Sequence, residues 1–304
     1  MWSWNLDSST FTATNSTKNL HYSGAKSVLS TGFLKLTVNT TDDSGVTPGS
    51  SAYALEFPGT ALLIKPAGQD TKPPIIAASL GSNPTGPQVS FNFVEVPSVS
   101  FNASTDQAYG HVTFDVSGNV LTGTSHRWEI DDTALPDGPS SFTGDNGLMT
   151  DTGSNGGPTA TGAMTPSGVC VLDYGPGNGG VIGVKQPSAN VDVADLASKS
   201  FKGFLINQGK TQCVTVTPNG DGTLHGEGYA LGTGVETGTM DGGGGVTITF
   251  QTQPNPGLIK IGVAPSGGSP EIIAAAINQV NGKYMLFGFG YGSGKGYNVV
   301  LVQQ

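Results

Sequence analysis

The chain has 304 residues, of which only 12% are charged, and its 13 basic residues against 22 acidic ones give a formal net charge of −9. Nucleic-acid binding requires clustered Lys and Arg side chains that neutralise phosphates. The basic residues here are few and scattered, so a nucleic-acid partner is excluded. No apolar run approaches the roughly 20 residues that a membrane-spanning helix needs, so we predict no transmembrane segment.

Short runs of β-branched and aromatic residues, bounded by Gly, Pro, Asn and Asp, recur along most of the chain. Such runs predict antiparallel strands joined by hairpin turns. Their spacing favours an all-β fold of tandem antiparallel β-sandwich or small meander-barrel domains built from repeated hairpins. The predicted strands are, in chain order, Phe33–Asn39, Ala52–Phe57, Ala61–Lys65, Ile75–Ser79, Val89–Val96, His111–Val116, Val120–Thr124, Val169–Tyr174, Gly180–Lys185, Phe201–Asn207, Gln212–Thr217, Thr223–Ala230, Val246–Gln251, Leu258–Val263, Glu271–Asn278, Lys283–Gly288 and Tyr297–Val302.

Two segments have some helical character. Asp192–Ser198 predicts one helical turn. Pro270–Val280 combines a proline at a first-turn position and three alanines, which favour a helix, with paired isoleucines in a β context; we predict a strand. The 47 glycines cluster between the strand runs, where they predict turns and bulges.

Three stretches divide the chain by composition. We predict that roughly the first 20 to 30 residues form a partly ordered arm. The Gly-, Ser-, Thr- and Asp-rich segment 131–166 predicts a long loop. The Pro-containing polar stretch 186–195 separates a first β domain in residues 1–187 from a second in residues 195–304.

Internal repetition links the two predicted domains. Leu36–Gly45, Val112–Gly118 and Val214–Gly222 share one plan, a strand of alternating character that ends in a turn of Asn, Asp and Gly. Further echoes recur in chain order, which favours duplication of a β meander of roughly 100 residues. The alternative is that independent hairpins converge on the same pattern.

The two cysteines, Cys170 and Cys213, both lie in apolar strand patterns. In an oxidising compartment they could form a disulfide that joins the two halves of the chain. The alternative is two buried free thiols that pack as small apolar side chains. Neither has the readable context of a catalytic thiol, which needs a nearby His and electropositive surroundings.

His126, Arg127 and Trp128 form the densest polar and aromatic cluster in the sequence. A cation beside an aromatic ring could form part of a binding face, whereas the same residues could be a plain exposed strand end. Tyr291, near a turn, could stack on a sugar ring. These four residues are the candidate ligand-binding site, and we predict no catalytic residue.

Acidic turns supply weak candidates for a metal site. Asp42, Asp43 and Asp221 lie in turns whose oxygen atoms could hold calcium. None of these turns has the EF-hand spacing, and Asn-Gly and Asp-Gly are ordinary residues of hairpin turns. The sequence therefore favours plain turns over calcium sites. The histidines lack the local spacing of a zinc site, so we predict no cofactor.

No catalytic constellation stands out, and Gly-, Ser- and Thr-rich hairpins with few charges resemble those of secreted and surface proteins. We therefore predict a non-enzymatic, extracytoplasmic protein, secreted or on a cell or virion surface, with a structural, adhesion or assembly role. Its expected partners are other surface proteins, further copies of itself through sheet edges, or carbohydrate. The alternatives are a small-ligand-binding β-barrel and a polysaccharide-active hydrolase with two carboxylates in a cleft.

Overall fold

The computed structural model describes residues 2–15, 18–57, 59–67, 75–79, 81, 84, 86–96, 107–151, 160–175, 179–207, 210–219, 223–229, 236–239, 246–252, 255–264, 271–292 and 295–304. Within these ranges the chain is almost entirely antiparallel β-structure in three sheets, which confirms the all-β class with tandem barrel-like units. The described residues contain no helix that is long and apolar enough to cross a membrane.

The first sheet is a meander in which each strand pairs with the next along the chain. Its seven strands are β1 (Trp2–Leu6), β2 (Thr10–Asn15), β3 (Leu20–Val28), β4 (Leu34–Thr41), β5 (Ser51–Phe57), β6 (Ala61–Pro66) and β7 (Ile75–Ala78). The edge strands β1 and β7 approach each other. No ladder joins them within the described part of the sheet, so the first sheet stays open.

The structure has three strands, β1 to β3, where a partly ordered arm is predicted. Alternation along β2 explains the difference, because Phe11 and Ala13 are buried in the sheet interior while Thr10 and Thr12 face solvent. This period of two is the pattern of a half-buried strand. The threonines give the segment a polar composition, although they lie only on the outer face of the strand.

The second sheet is a closed barrel of eight strands. They are β8 (Gln88–Val96), β9 (Tyr109–Ser117), β10 (Val120–Trp128), β11 (Ala134–Asp145), β12 (Leu148–Asp151), β13 (Thr161–Met164), β14 (Val169–Asp173) and β15 (Gly180–Lys185). The last strand, β15, pairs back onto β8 and closes the ring.

The structure replaces the predicted loop at 131–166 with strands β11, β12 and β13. Phe142, Met149 and Met164 from these strands are buried in the barrel interior. Only a few large apolar residues are needed, because short strands of a small barrel each send one or two side chains inward. Most of the rest of the segment is Gly, Ser, Thr, Asp, Asn and Pro, and its composition therefore resembles that of a loop.

The third sheet contains nine strands and follows the short helix α1 (Val193–Leu196), which Asp192 caps at the predicted helical turn. In chain order, its second strand pairs with its third, which closes eight strands into a ring, and its fourth strand is attached outside this ring. The strands are β16 (Phe201–Asn207), β17 (Lys210–Pro218), β18 (Thr223–Tyr229), β19 (Glu236–Thr239), β20 (Val246–Thr252), β21 (Leu258–Ala264), β22 (Glu271–Val280), β23 (Lys283–Gly292) and β24 (Lys295–Gln303).

A shared core joins the three sheets. Phe57 of the first sheet contacts Phe287 of the third, with ring centroids 6.2 Å apart, and other members of this core come from the second barrel. Strand β22 is therefore buried on both faces, with Ala275 inside the third barrel and Ala274 in the shared core. Two-sided burial produces continuous apolar runs, and it confirms the strand predicted for this alanine-rich segment.

Several glycines lie inside strands rather than in the predicted turns. Gly110 is the Cα partner of Phe93, and a Cβ atom added to Gly110 would collide with the His126 carbonyl oxygen and lie 3.0 Å from the Phe93 ring. Gly123 stands opposite Phe114 in the same way. These glycines make room for large interior side chains where the barrel wall curves tightly.

Of the two alternatives for the cysteines, the structure has no disulfide: Cys170 and Cys213 are both free and buried, in different cores. Cys170 lies in the interior of the second barrel, whereas Cys213 belongs to the shared core. Burial raises the pKa of each thiol to about 12. Both cysteines therefore match the other alternative, in which two buried thiols pack as small apolar side chains.

Candidate functional site

The hairpin of β9 and β10 positions the candidate site. Its two strands are joined by the two residues Gly118 and Asn119, with Gly118 at φ 60°. The register that follows from this turn pairs His111 with His126 across the hairpin. Side chains of directly paired residues lie on the same face of a sheet, so both imidazoles project from the same side.

Four aromatic rings follow one another in contact on this outer face, and we call them the ring row: Tyr109, Trp128, His111 and His126. The ring centroids of Tyr109 and Trp128 are 5.8 Å apart, and those of Trp128 and His111 are 5.7 Å apart. His111 stacks on His126 at 4.8 Å. The ring row therefore runs from a buried end at Tyr109 to a more exposed end at His126.

The buried end of the ring row is tied to the third sheet. The Tyr109 hydroxyl donates a hydrogen bond to the Asp132 carboxylate, and the Lys260 ammonium lies 2.6 Å from the same carboxylate. Lys260 also lies over the Tyr109 ring, 5.8 Å from its centroid. Burial, and after it the bond to Asp132, raises the pKa of Tyr109. These groups fix the buried end as a structural junction.

The exposed end carries two imidazoles and a carboxylate. Nδ1 of His126 lies 2.9 Å from Oδ1 of Asp137 on β11, and the His126 side chain is 41% exposed. His111 is half-buried between His126 and Trp128. Burial, and after it the charge of His126, lowers the pKa of His111, while Asp137 acts in the opposite sense.

The predicted cluster of His126, Arg127 and Trp128 divides between two faces of β10. His126 and Trp128 belong to the ring row, whereas Arg127 projects from the other face because side chains alternate along a strand. Arg127 Nη1 lies 3.1 Å from Oε1 of Glu95. The cation that lies over a ring of the ring row is the Lys260 ammonium, above Tyr109, and not Arg127.

Tyr291 lies on strand β23, where its backbone pairs with Ile272. Its side chain falls outside the described part of the structure, so its role in sugar stacking stays a prediction. Phe289, two residues earlier on the same strand, lies 6.5 Å from Tyr109. The strand of Tyr291 therefore passes close to the buried end of the ring row.

The calcium candidates are held by neighbours in their own hairpin. The backbone N–H of His21 donates to Asp42 at 2.6 Å, and the His21 ring lies 2.8 Å from the same carboxylate. These bonds lower the pKa of Asp42. Asp43 accepts hydrogen bonds from the Tyr22 hydroxyl and the Gly45 N–H. Asp221 lies outside the described residues, and across the described ranges no group of three or more His, Cys, Asp or Glu is placed to hold a metal ion.

Sequence reasoning missed Tyr109, His111, Asp132, Asp137 and Lys260. A signal for the first two was present, because counting outward from the Gly118–Asn119 turn places His111 opposite His126 and Tyr109 opposite Trp128. Asp132, Asp137 and Lys260 reach the ring row from later strands and turns, which no local pattern reveals.

The exposed end of the ring row offers nitrogen and oxygen donors on one hairpin and the strand beside it, while its buried end is occupied by structural contacts. No model of a known protein family matches the chain, and no curated protein matches it by sequence.

Proposed function

We propose that this protein is a non-enzymatic, extracytoplasmic structural protein that assembles with further copies of itself. The observation that carries this proposal is the open first sheet, with its two edge strands β1 and β7. An edge strand presents backbone N–H and C=O groups that can pair with a strand of another molecule. The low charge and the Ser-, Thr- and Gly-rich hairpins support the extracytoplasmic assignment.

Strand β1 is the better candidate for the assembling edge. Its sequence, Trp-Ser-Trp-Asn-Leu, contains neither a charged residue nor a proline. Edges that avoid association usually carry such charges or prolines. A second copy of this chain could therefore add a strand beside β1 without burying a charge, once β7, which approaches that edge without a ladder in the described part of the sheet, moves aside.

The packed interior of the second barrel supports a scaffold role over the alternative of a small-ligand-binding barrel. Inside the second barrel, Phe91, Phe114 and Met149 are each at most 2% exposed. Barrels that bind ligands keep an interior space that side chains do not fill. Here the interior side chains pack on one another, as in the edge-to-face contact of Phe114 with Phe142.

Light scattering during size exclusion over a range of protein concentrations tests the proposal. We expect the mass of the unmodified protein to rise with concentration above that of the 30.9 kDa monomer. Asn5→Lys places a charge at an exposed position of β1 and should shift the protein to monomer. Thr12→Lys is the matched control, because Thr12 is the exposed Cα partner of Asn5, one strand in from the edge. A monomer at every concentration would overturn the proposal.

A further inference from the structure

We propose that His111 and His126 form a binding site for a divalent transition-metal ion, bound between their two imidazoles at the exposed end of the ring row. The two residues are direct cross-strand partners, and their ring centroids are 4.8 Å apart. Zinc–nitrogen bonds are about 2.0–2.1 Å long, so two ligating nitrogens in one coordination sphere are about 3 Å apart. The two rings are stacked with an interplanar angle of 29°, so the His111 ring must turn about its Cβ–Cγ bond before both nitrogens face one ion, and water would complete the coordination.

Asp137 prepares His126 for this role. A carboxylate 2.9 Å from Nδ1 holds the proton on that nitrogen, which leaves the lone pair of Nε2 available to a metal ion. Histidine ligands commonly have such a carboxylate or carbonyl partner on the second ring nitrogen, because it fixes the ring and raises its basicity. His126 is also 41% exposed, so an ion can reach it from solvent.

His111 supplies the second nitrogen. It is half-buried between Trp128 and His126, and these contacts hold its imidazole beside that of His126. The neighbouring Asp137 and the net charge of −9 both favour an approaching cation.

The donor set selects the chemical class of the ion. Imidazole nitrogens suit Cu²⁺, Ni²⁺ and Zn²⁺, whereas Ca²⁺ and Mg²⁺ prefer oxygen ligands. The expected order of affinity follows the general series, with Cu²⁺ strongest. This site does not depend on the assembly role proposed above, since the ring row lies on the second barrel and the open edge on the first sheet.

The protein contains matched controls. His21 pairs with Asp42 at 2.8 Å, and His225 pairs with Glu227 at 3.3 Å. Each of these pairs contributes one imidazole and one carboxylate, as His126 and Asp137 do. If a single imidazole with a carboxylate were sufficient for binding, His21→Gln would weaken it as much as His126→Gln.

The experiment is calorimetric titration of the full chain with Cu²⁺ and Ni²⁺ in a non-coordinating buffer. We expect one tight site in the unmodified protein, and we expect His111→Gln and His126→Gln each to weaken it at least about tenfold. Asp137→Asn should weaken it less, and His21→Gln should leave it unchanged. Full affinity in His111→Gln, or loss of the site in His21→Gln, would overturn the proposal.

A second measurement needs no variant. The electron paramagnetic resonance spectrum of Cu²⁺ bound at one equivalent reports how many nitrogens coordinate the ion. Two imidazole nitrogens support the site, and one or none contradicts it. Because this measurement uses the unmodified protein, it remains decisive if a histidine variant fails to fold.

Discussion

The first sheet and the second barrel are built from the same kind of antiparallel hairpin, yet only the second closes. The interior faces of the second barrel carry Gly110, Gly123 and Gly162, each paired with a large side chain on the neighbouring strand. In the described strands of the first sheet, Gly24, opposite Phe11, is the only strand glycine with this arrangement. Tight curvature needs small residues where large ones point inward, so glycine placement separates a closed barrel from an open sheet.

The shared core unites these unlike regions. Aromatic contacts such as Phe57 with Phe287 connect the open sheet to the third barrel. Each sheet also has a buried cluster of its own, which in the first sheet includes Phe11, Leu36 and Ile64. Among the described residues the cluster of the first sheet is the smallest of the three, so we expect the open sheet to depend most on the shared core for its stability.

Phe57→Ala should have the largest effect. Phe57 is 1% exposed in the shared core, and truncation of a buried phenylalanine costs about 3–5 kcal/mol. We expect calorimetry to show the first sheet unfolding in a separate transition at lower temperature. Phe142→Ala, inside the second barrel, is the control and should lower stability without separating the first sheet. A single transition for Phe57→Ala would contradict the dependence.

Gly110→Ala and Gly24→Ala compare the closed and open sheets directly. A Cβ atom collides with a backbone carbonyl at both positions and lies 3.0 Å from Phe93 or 2.6 Å from Phe11. Overpacking should lower the unfolding free energy by about 1–3 kcal/mol at Gly110, and by less at Gly24, because the open sheet can shift along its free edges. Urea denaturation measures both losses.

Gly138→Ala is the control for this pair, because the nearest atom to its added Cβ is Ser125 Oγ at 3.3 Å. We expect a change within about 0.5 kcal/mol. Equal losses at Gly24 and Gly110 would mean that the open edges give the first sheet no extra freedom.

The smallest expected effect is a difference between the two regions in how their stability depends on pH. His111 has a pKa lowered from 6.5 by burial and by His126. The unfolded chain therefore binds more protons, and the unfolding free energy falls as the pH drops below 6.5. In the first sheet the pKa values of Asp42 and Asp43 lie below 3.8 because of hydrogen bonds. Their contribution is present above 3.8 and is lost only as the pH falls through their lowered folded values.

Urea unfolding between about pH 7.5 and about pH 5 isolates the histidine window. His111→Gln should flatten the pH dependence there. An unmodified protein whose stability is constant across this window would contradict the prediction.

Local residues determined much of the strand pattern. The alternation of Val112 and Phe114 with polar neighbours predicts β9, and the Gly118–Asn119 turn fixes the register that pairs His111 with His126. Both follow from the period of two along a strand and from the geometry of a two-residue turn. The loop predicted at 131–166 and the N-terminal arm differ from the structure because strands with only one or two inward apolar residues have the composition of loops.

Tertiary structure alone decided the contacts between sheets. Lys260 reaches Asp132 and Tyr109 from another sheet, and Cys213 faces the shared core rather than Cys170. Such contacts depend on how three curved sheets pack against one another. The amino-acid sequence specifies which face of a strand is apolar. A strand with two apolar faces is buried on both only where another sheet packs against it, and the residues of that sheet are distant in the chain.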